Sequence, residues 1–417
     1  MKIWLLTFFF LASTSAWANN WYDRGNAGFV LFCEGQAPVV LDIHEARQRS
    51  GRALIYSQQF DVIEKVHDLI ARLEKVDAQR ASLYHSWAQN FFLESTALTP
   101  STELVQTPDL GYVSLPANCQ LKQVIFQRNP SALNQHRYII DTALWNQLDI
   151  NQQAALVLHE IVYREFMTAR TSEMTSERIR MFNGLVHLHG FEGLSLSDYI
   201  QILQELHFTT YTYNGLVLSL GAADAAGYWQ SNALYFEKSD FIAAAVLAGK
   251  QAFEFDNVKF VCLSDERDLG VVTFQSSGKF KTLRVAPEFA RQSECALPFM
   301  EYATEKGRFT VTGTDWVFHQ NGHLVTIRGA VSPSTPMQFK YGEVNYASYW
   351  NPFAQTFGES YFEFDEQLNL RALGLGGSAC RNPLNNSVQF IPQPYGTDTI
   401  VSIGETGRLD TELPACF

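Results

Sequence analysis

Asp149–Arg170, DINQQAALVLHEIVYREFMTAR, is the stretch that decides the fold of the first half of the chain. On a helical wheel its apolar residues form one broad arc, and Leu156 and Met167 add apolar surface on the opposite side. A helix that is apolar nearly all round is typical of a buried position. Asp149, followed three residues later by Gln152, predicts an Asx-type start with a capping partner. The stretch therefore predicts a buried central helix.

The candidate catalytic residues of the chain lie on this helix. His159, Glu160 and Tyr163 fall together on the wheel, away from the main apolar arc, and Arg164 follows them. Burying such groups costs several kcal/mol unless they are paired or face a cleft. The pattern indicates either a structural polar cluster or a site on a cleft.

A zinc site is one interpretation of the HE dipeptide. In H-E-x-x-H, two His residues four apart bind zinc and the Glu acts as general base. Here Tyr163 stands where the second His would be, and His187 or His189 would have to supply a further ligand. His159 is therefore a weak candidate metal ligand, and the sequence indicates no cofactor.

The favoured interpretation is structural. His159 would hydrogen-bond a buried carboxylate or carbonyl, and Glu160 would pair with Arg164 or with a downstream arginine, Arg178 or Arg180. Such networks stabilise a unique packing when every member is satisfied. Two alternatives stay open: a cleft that binds a ligand without metal, and a pair of carboxylates, Asp42 and Glu45 among them, as in glycosidases.

The first 18 residues predict a secretory signal peptide. Lys2 precedes an apolar run from Ile3 to Leu11, and Ala16-Trp17-Ala18 forms an A-x-A end. The run is shorter than the roughly 20 residues that span a bilayer, and no later segment is apolar for long enough. The net charge of −12 without a basic run argues against nucleic acid. We expect a periplasmic or secreted protein with no membrane span.

Six cysteines predict disulfides in an exported chain. Spacing alone leaves every connectivity open, but pairing of nearest neighbours would close each loop within one module. That prediction gives the pairs Cys33–Cys119, Cys262–Cys295 and Cys380–Cys416.

The chain as a whole predicts an α+β protein. A helix-rich domain over residues 19–250 would precede an antiparallel β domain, sandwich or barrel-like, over 251–417. An apolar stripe from Ser57 to Glu94 predicts one long helix or two helices broken near Asp77. Further predicted helices are Met181–Leu188, Ser197–His207 and Ser239–Lys250.

A weak repeat marks the second half. TFQSSGKFKTLRV (273–285), VFHQNGHLVTIRG (317–329) and EFDEQLNLRALGL (363–375) each hold a Phe, a polar turn and a strand. The Phe residues lie 44 and 46 positions apart. This pattern predicts hairpins of related shape.

An aromatic segment from Tyr341 to Phe364 is a second candidate surface. Tyr349, Trp350 and Phe353 lie around its Asn-Pro turn and would suit recognition of a protein or a glycan. The alternative is that the aromatic residues of this segment face inward from β-strands, where aromatic side chains are favoured.

The first half resembles a loose group of exported bacterial proteins without an assigned activity. Their pattern is GNGG-strand-Cys, then LLDLYEA, then LHE-x-x-YR with a later Ser and Arg. The matching residues are Gly25, Asn26, Gly28, Cys33, Leu41, Asp42, Glu45, Ala46, His159, Glu160, Tyr163 and Arg164. Ala27 and His44 depart from it. The resemblance covers about residues 25 to 185 and implies a Gram-negative, exported protein.

No complete catalytic motif is present. We therefore favour a non-enzymatic binding or interaction protein of the cell envelope. The alternative is a hydrolase, with or without a metal, that uses His159 and Glu160.

Overall fold

The computed structural model of the chain describes residues 24–25, 28–98, 115–128, 130, 136–168, 176–221, 234–238, 240–248, 252–255, 258–261, 271–284, 299–312, 315–321, 323–330, 338–348, 359–375, 378–391, 399–404 and 407–416. It confirms the α+β class, with a helical N-terminal region and a sheet-rich C-terminal part. Two compact units divide the chain: Met1–Glu74 with Ala81–Phe191, and Lys75–Arg80 with Glu192–Phe417. Residues 192–250 thus belong to the second unit, whereas the sequence places the boundary between the two domains at residue 250.

The first unit combines two small sheets with helices. Its elements, counting helix α3, of which Lys75–Arg80 belong to the other unit, are β1 (Arg24–Gly25), β2 (Phe29–Cys33), β3 (Val39–Val40), α1 (Leu41–Ser50), α2 (Val62–Ala71), α3 (Glu74–Gln89), β4 (Ser95–Ala97), β5 (Cys119–Gln123), β6 (Ile125–Arg128), β7 (Tyr138–Ile140), α4 (Thr142–Trp145), α5 (Ile150–Thr168) and α6 (Ser176–His187). The sheet orders are β1-β6-β7-β4 and β3-β2-β5.

Helix α5 is the buried central helix that the sequence predicts. The carboxylate of Asp149 accepts hydrogen bonds from the main-chain N–H groups of Asn151 (2.8 Å) and Gln152 (2.9 Å), which confirms the predicted start. The side chain of Gln152 does not reach back to the cap. Its oxygen instead accepts from the N–H of Val40 at 2.7 Å and ties α5 to the start of α1.

The predicted stripe from Ser57 to Glu94 forms two helices, α2 and α3. Within α3, Asp77 leaves helical geometry, with φ −153° and ψ 69°. Asp77 is buried and its carboxylate pairs with Arg80 and accepts a hydrogen bond from the Tyr199 hydroxyl at 3.1 Å. The predicted break near Asp77 is confirmed.

The larger segment of the second unit, Glu192–Phe417, has a helix near its start and continues in strands. Its elements are α7 (Leu196–Glu205), β8 (Thr210–Tyr213), β9 (Leu216–Ser219), β10 (Leu234–Lys238), β11 (Phe241–Val246), β12 (Ala252–Phe255), β13 (Val258–Val261), β14 (Val271–Phe274), β15 (Phe280–Arg284), β16 (Phe299–Thr304), β17 (Gly307–Thr312), β18 (Asp315–Phe318), β19 (Leu324–Ala330), β20 (Gln338–Tyr341), β21 (Val344–Ser348), β22 (Glu359–Phe364), β23 (Leu370–Leu375), β24 (Ser378–Arg381), β25 (Val388–Ile391) and β26 (Val401–Ser402).

The predicted helix over Ser239–Lys250 is wrong. The segment forms strand β11, in which Ala244 lies opposite Thr273 and Ala245 lies opposite Val272. Its alanines favour a helix locally, but pairing with β10 and β14 supplies the main-chain hydrogen bonds instead. Pairing between strands has here outweighed the local preference of the alanines for a helix.

The sequence repeat corresponds to hairpins that lie side by side in one sheet. The order of this nine-stranded sheet is β10-β11-β14-β15-β18-β19-β22-β23-β26. In each copy the register shifts just before the repeated Phe, which then lies opposite a residue six positions on. These pairs are Phe274 and Phe280, Phe318 and Leu324, and Phe364 and Leu370. Phe236 and Ile242 form the same pair in β10–β11, a fourth copy that the sequence comparison missed.

Between these hairpins the chain builds a second sheet. Its order is β16-β17-β20-β21-β25-β24, and β12 and β13 form a separate pair. Side chains of the two larger sheets meet: the rings of Phe339 and Phe362 have centroids 6.4 Å apart, and the Tyr341 hydroxyl accepts from the N–H of Leu370 at 2.9 Å. From β14 to β25 the chain therefore alternates, hairpin by hairpin, between two contacting sheets, and the copies of the repeat all lie in the larger one.

Two of the predicted disulfides are present. Cys33 and Cys119 join neighbouring strands of the first unit, and Cys380 joins Cys416 near the C-terminus. The predicted pair Cys262–Cys295 lies outside the described residues. Among the described helices, none is long and apolar enough to cross a membrane.

Candidate functional site

The side chain of His159 on α5 bonds a carboxylate on α1. Its Nδ1 donates to Oδ2 of Asp42 at 2.7 Å, and both side chains are 0% exposed. The two residues are 117 positions apart in sequence. This contact confirms the expectation that His159 hydrogen-bonds a buried carboxylate.

Asn183 on α6 completes a link between three helices. Its amide nitrogen donates to Oδ2 of Asp42 (2.7 Å) and to the carbonyl oxygen of Ala155 (2.9 Å). Burial raises the pKa of Asp42, but attraction to His159 and hydrogen bonds from His159 and Asn183 outweigh it and leave that pKa below its ordinary value. Asp42 is therefore an anion that cross-links α1, α5 and α6.

Glu160 faces a different neighbour. The amide of Gln127, in the orientation that satisfies both of its polar atoms, donates to Oε2 of Glu160 at 3.1 Å and to the Glu160 carbonyl oxygen at 2.9 Å. Gly28 has φ +63°, and a Cβ there would lie 3.0 Å from Oε1 of Glu160. The expected pairing of Glu160 with an arginine is wrong, because this carboxyl group lies against β6 and Gly28.

Complete burial, followed by the nearby charge of Asp42, raises the pKa of Glu160 well above its ordinary value. The folded protein therefore binds a proton that the unfolded chain releases above about pH 4.3. This contribution weakens the fold as pH rises from that value toward the raised pKa.

Replacing Glu160 with glutamine is expected to remove the loss of folding stability that Glu160 causes as pH rises. The amide has nearly the shape of the protonated carboxyl and cannot ionise. Urea unfolding between pH 5 and pH 9, with Glu165→Gln on the same helix as control, measures the effect. We expect stability that falls less steeply with pH in Glu160→Gln than in the wild type. Parallel pH profiles would contradict the assignment.

The arginines of the region pair elsewhere. Arg180 donates through Nε to Oε2 of Glu45 (3.2 Å) and through Nη1 to Oγ of Ser176 (2.6 Å). Arg164 pairs with Glu94 at 3.1 Å and lies over the ring of Trp87. Asp42 and Glu45 are thus each held by a separate basic side chain.

Tyr163 and His187 complete the surroundings. The Tyr163 ring stacks near His159, with centroids 6.4 Å apart. Nδ1 of His187 donates to the Asn183 carbonyl oxygen at 2.9 Å, while Arg72 donates to the carbonyl oxygens of Val186 and Leu188 at the end of α6. Burial lowers the pKa of His187 to about 4, so His187 is neutral at pH 7.

The described residues hold no group of three or more metal-binding side chains. His159 thus has one carboxylate beside it, while His187 bonds a main-chain carbonyl. The donor set that the alternative zinc interpretation requires is not assembled among these described residues.

Several polar atoms of the network have no hydrogen-bond partner among the described residues. They are Oδ1 of Asp42, Nε2 of His159, Oε1 of Glu160, Oδ1 of Asn183 and Nε2 of His187. All five side chains are buried. The Asp42–His159 pair has the connectivity of a general base oriented by a carboxylate, but it is closed from solvent.

A cleft of about 150 Å³ opens between α1 and α6, at the outer end of this network. Glu45 and Arg180 line it on one side, and Ala46, Met181, Leu185 and Leu188 provide apolar surface. The helices approach closely beside it, because a Cβ on Gly184 would lie 2.9 Å from Cβ of Ala46. The cleft reaches the Glu45–Arg180 ion pair and not His159.

The aromatic candidates divide into two groups. Tyr349, Trp350 and Phe353 lie outside the described residues. Tyr341, Tyr346, Phe362 and Phe364 are buried, as the inward-facing interpretation predicts.

Two members of the site were not predicted. Gln127 and Asn183 are neutral amides in segments where the sequence offers no periodic signal for a polar partner. The resemblance did include Asp42 and Glu45, and Arg180 was an expected partner, although of Glu160 and not of Glu45. Comparison of the chain with known protein families, curated proteins and solved structures finds no match. The resemblance to exported bacterial proteins stays a prediction.

Proposed function

We propose that this protein is a non-enzymatic binding protein of the cell envelope that holds an apolar side chain of a polypeptide partner in the α1–α6 cleft. The size and lining of the cleft carry the proposal. Pockets for small organic ligands usually measure about 300–1,000 Å³. A cleft of about 150 Å³ with mostly apolar walls fits one side chain such as leucine or phenylalanine.

The buried network would keep the walls of this cleft in place. Asp42 and Glu45 lie on α1, while Arg180 and Asn183 lie on α6. The Asp42–Asn183 and Glu45–Arg180 contacts join the two helices directly. A preformed cleft lowers the ordering cost of binding, so the polar cluster would serve binding through rigidity.

Export and disulfide formation belong to the same proposal. The predicted signal peptide over residues 1–18 would direct the chain to the periplasm or beyond. The Cys33–Cys119 and Cys380–Cys416 bonds support an oxidising compartment.

The second candidate function is a hydrolase in which Asp42 orients His159 as a general base. The 2.7 Å contact and the unpartnered Nε2 favour it. A hydrolase would cleave p-nitrophenyl esters or peptide substrates and lose that turnover in His159→Gln. The binding protein would show no turnover that depends on His159.

A methyl NMR titration tests the cleft with N-acetyl-leucinamide as probe. We expect saturable shifts of the Leu185 and Leu188 methyl groups and none with maltose, the glycan probe. Met181→Trp, at a residue 38% exposed beside the cleft, should abolish the shifts. The matched control is Leu83→Trp on α3, where the side chain is 42% exposed. Unshifted methyls, or shifts with maltose alone, would overturn the proposal.

A further inference from the structure

Two histidines of the first unit face each other through ring nitrogens. His67 on α2 and His85 on α3 have their Nδ1 atoms 2.6 Å apart, and their ring centroids are 4.8 Å apart. Both side chains are partly exposed. Only one proton can lie between two nitrogens at this distance, so at least one Nδ1 presents a lone pair to the other ring.

Glu74 determines which ring presents the lone pair. Its Oε1 lies 3.3 Å from Nε2 of His85 and accepts a hydrogen bond from that nitrogen. His85 thus carries its proton on Nε2 in the neutral form, and its Nδ1 accepts from His67. Histidines that bind metals commonly donate their other N–H to a carboxylate in this way.

We propose that His67 and His85 form an exchangeable site for a divalent transition metal, with Glu74 positioning the His85 ring. Metal–nitrogen bonds of about 2.0–2.1 Å in tetrahedral geometry place the two nitrogens about 3.3 Å apart. A rotation of either side chain that moves its Nδ1 by less than one ångström converts the observed 2.6 Å contact into that spacing. When the metal binds, the proton of His67 moves from Nδ1 to Nε2, so that both rings stay neutral and both Nδ1 lone pairs face the metal.

The surrounding charges favour this exchange. Glu64 and Asp68 on α2 lie near His67, and Glu74 on α3 contacts His85. A neutral imidazole is the form that binds metal. The carboxylates of Glu64, Asp68 and Glu74 also make the local field attractive to a cation.

Imidazole ligands define the class of metal. Two ring nitrogens suit Zn²⁺, Ni²⁺ or Cu²⁺ and not Mg²⁺ or Ca²⁺, which prefer oxygen. Since the described residues supply no third metal-binding side chain here, water would occupy the remaining positions. Such a site exchanges its metal, and it is independent of the α1–α6 cleft.

Calorimetric titration of the full mature chain, purified without a polyhistidine tag, tests the site with ZnCl₂ and MgCl₂. We expect one zinc-binding site per chain at pH 7.5 and no magnesium binding. His67→Gln and His85→Gln should each abolish it, and Glu74→Gln should weaken it about 10- to 100-fold. Circular dichroism confirms that each variant is folded.

The control variant is His44→Gln, at a partly exposed histidine on α1. Among the described residues, the one side-chain hydrogen bond of His44 joins it to the amide of Gln48, at 2.9 Å. This variant should bind zinc like the wild type. Absence of zinc binding in the wild type, or zinc binding that survives in both His67→Gln and His85→Gln, would overturn the proposal.

Discussion

Replacing Asp42 with alanine is expected to lower the free energy of unfolding of the first unit by about 2–6 kcal/mol, because two buried donors lose the acceptor that they share. The variant leaves Nδ1 of His159 and the amide of Asn183 without their shared acceptor, and both side chains are fully buried. Each unsatisfied buried group costs about 1–3 kcal/mol. Urea unfolding followed through the helical circular dichroism signal measures the loss.

Two further variants separate charge from hydrogen bonding. Asp42→Asn keeps one acceptor oxygen but no charge, so its free energy of unfolding should fall between that of the wild type and that of Asp42→Ala. Asp68→Asn, at an exposed carboxylate on α2, should change stability by less than about 0.5 kcal/mol. If Asp42→Ala costs less than about 1 kcal/mol, Asp42 does not stabilise the helices as we infer.

His187 is expected to cause a loss of stability in mild acid. Its pKa in the folded protein is about 4, against about 6.5 in an unfolded chain. The unfolded state therefore binds a proton in a pH range in which the buried ring stays neutral, and stability falls as pH decreases from about 6.5 to about 4. The full effect is on the order of 3 kcal/mol.

A pH series of urea unfolding curves for the wild type and His187→Gln measures this contribution. Glutamine does not titrate, so the variant should lose the part of the slope between pH 6.5 and pH 4 that His187 causes. His189→Gln, at the exposed histidine two residues on, is the control and should keep the wild-type slope. Identical slopes in His187→Gln and the wild type would show that His187 is not held neutral by burial.

The ionisable groups of the network act over different pH ranges. Asp42 has a lowered pKa, so its contribution is present above about pH 3.9 and is lost in stronger acid. Above about pH 4.3, Glu160 lowers the stability of the fold as pH rises, whereas His187 raises it. The wild-type profile is their sum, which is why the comparison of single variants is needed.

Periodicity and local chemistry were enough to predict several elements. The apolar arc predicted α5 as a buried helix, and Asp149 predicted where it begins. The stripe from Ser57 to Glu94 predicted a break at Asp77, and the spaced Phe residues predicted the hairpins of the nine-stranded sheet. Each of these features depends on residues that are close in sequence, so the sequence alone determined them.

The tertiary structure alone decided which groups meet. His159 and Glu160 are adjacent on α5, yet one bonds Asp42 on α1 and the other lies against Gln127 on β6. Long-range packing chose these partners. Burial then raised the pKa of Glu160, while attraction to His159 and hydrogen bonds from His159 and Asn183 lowered that of Asp42 in spite of its burial. The same cause made β11 a strand, because hydrogen bonds to β10 and β14 outweighed a local preference for helix. Contacts between distant segments depend on the packed fold and leave no local pattern in the sequence.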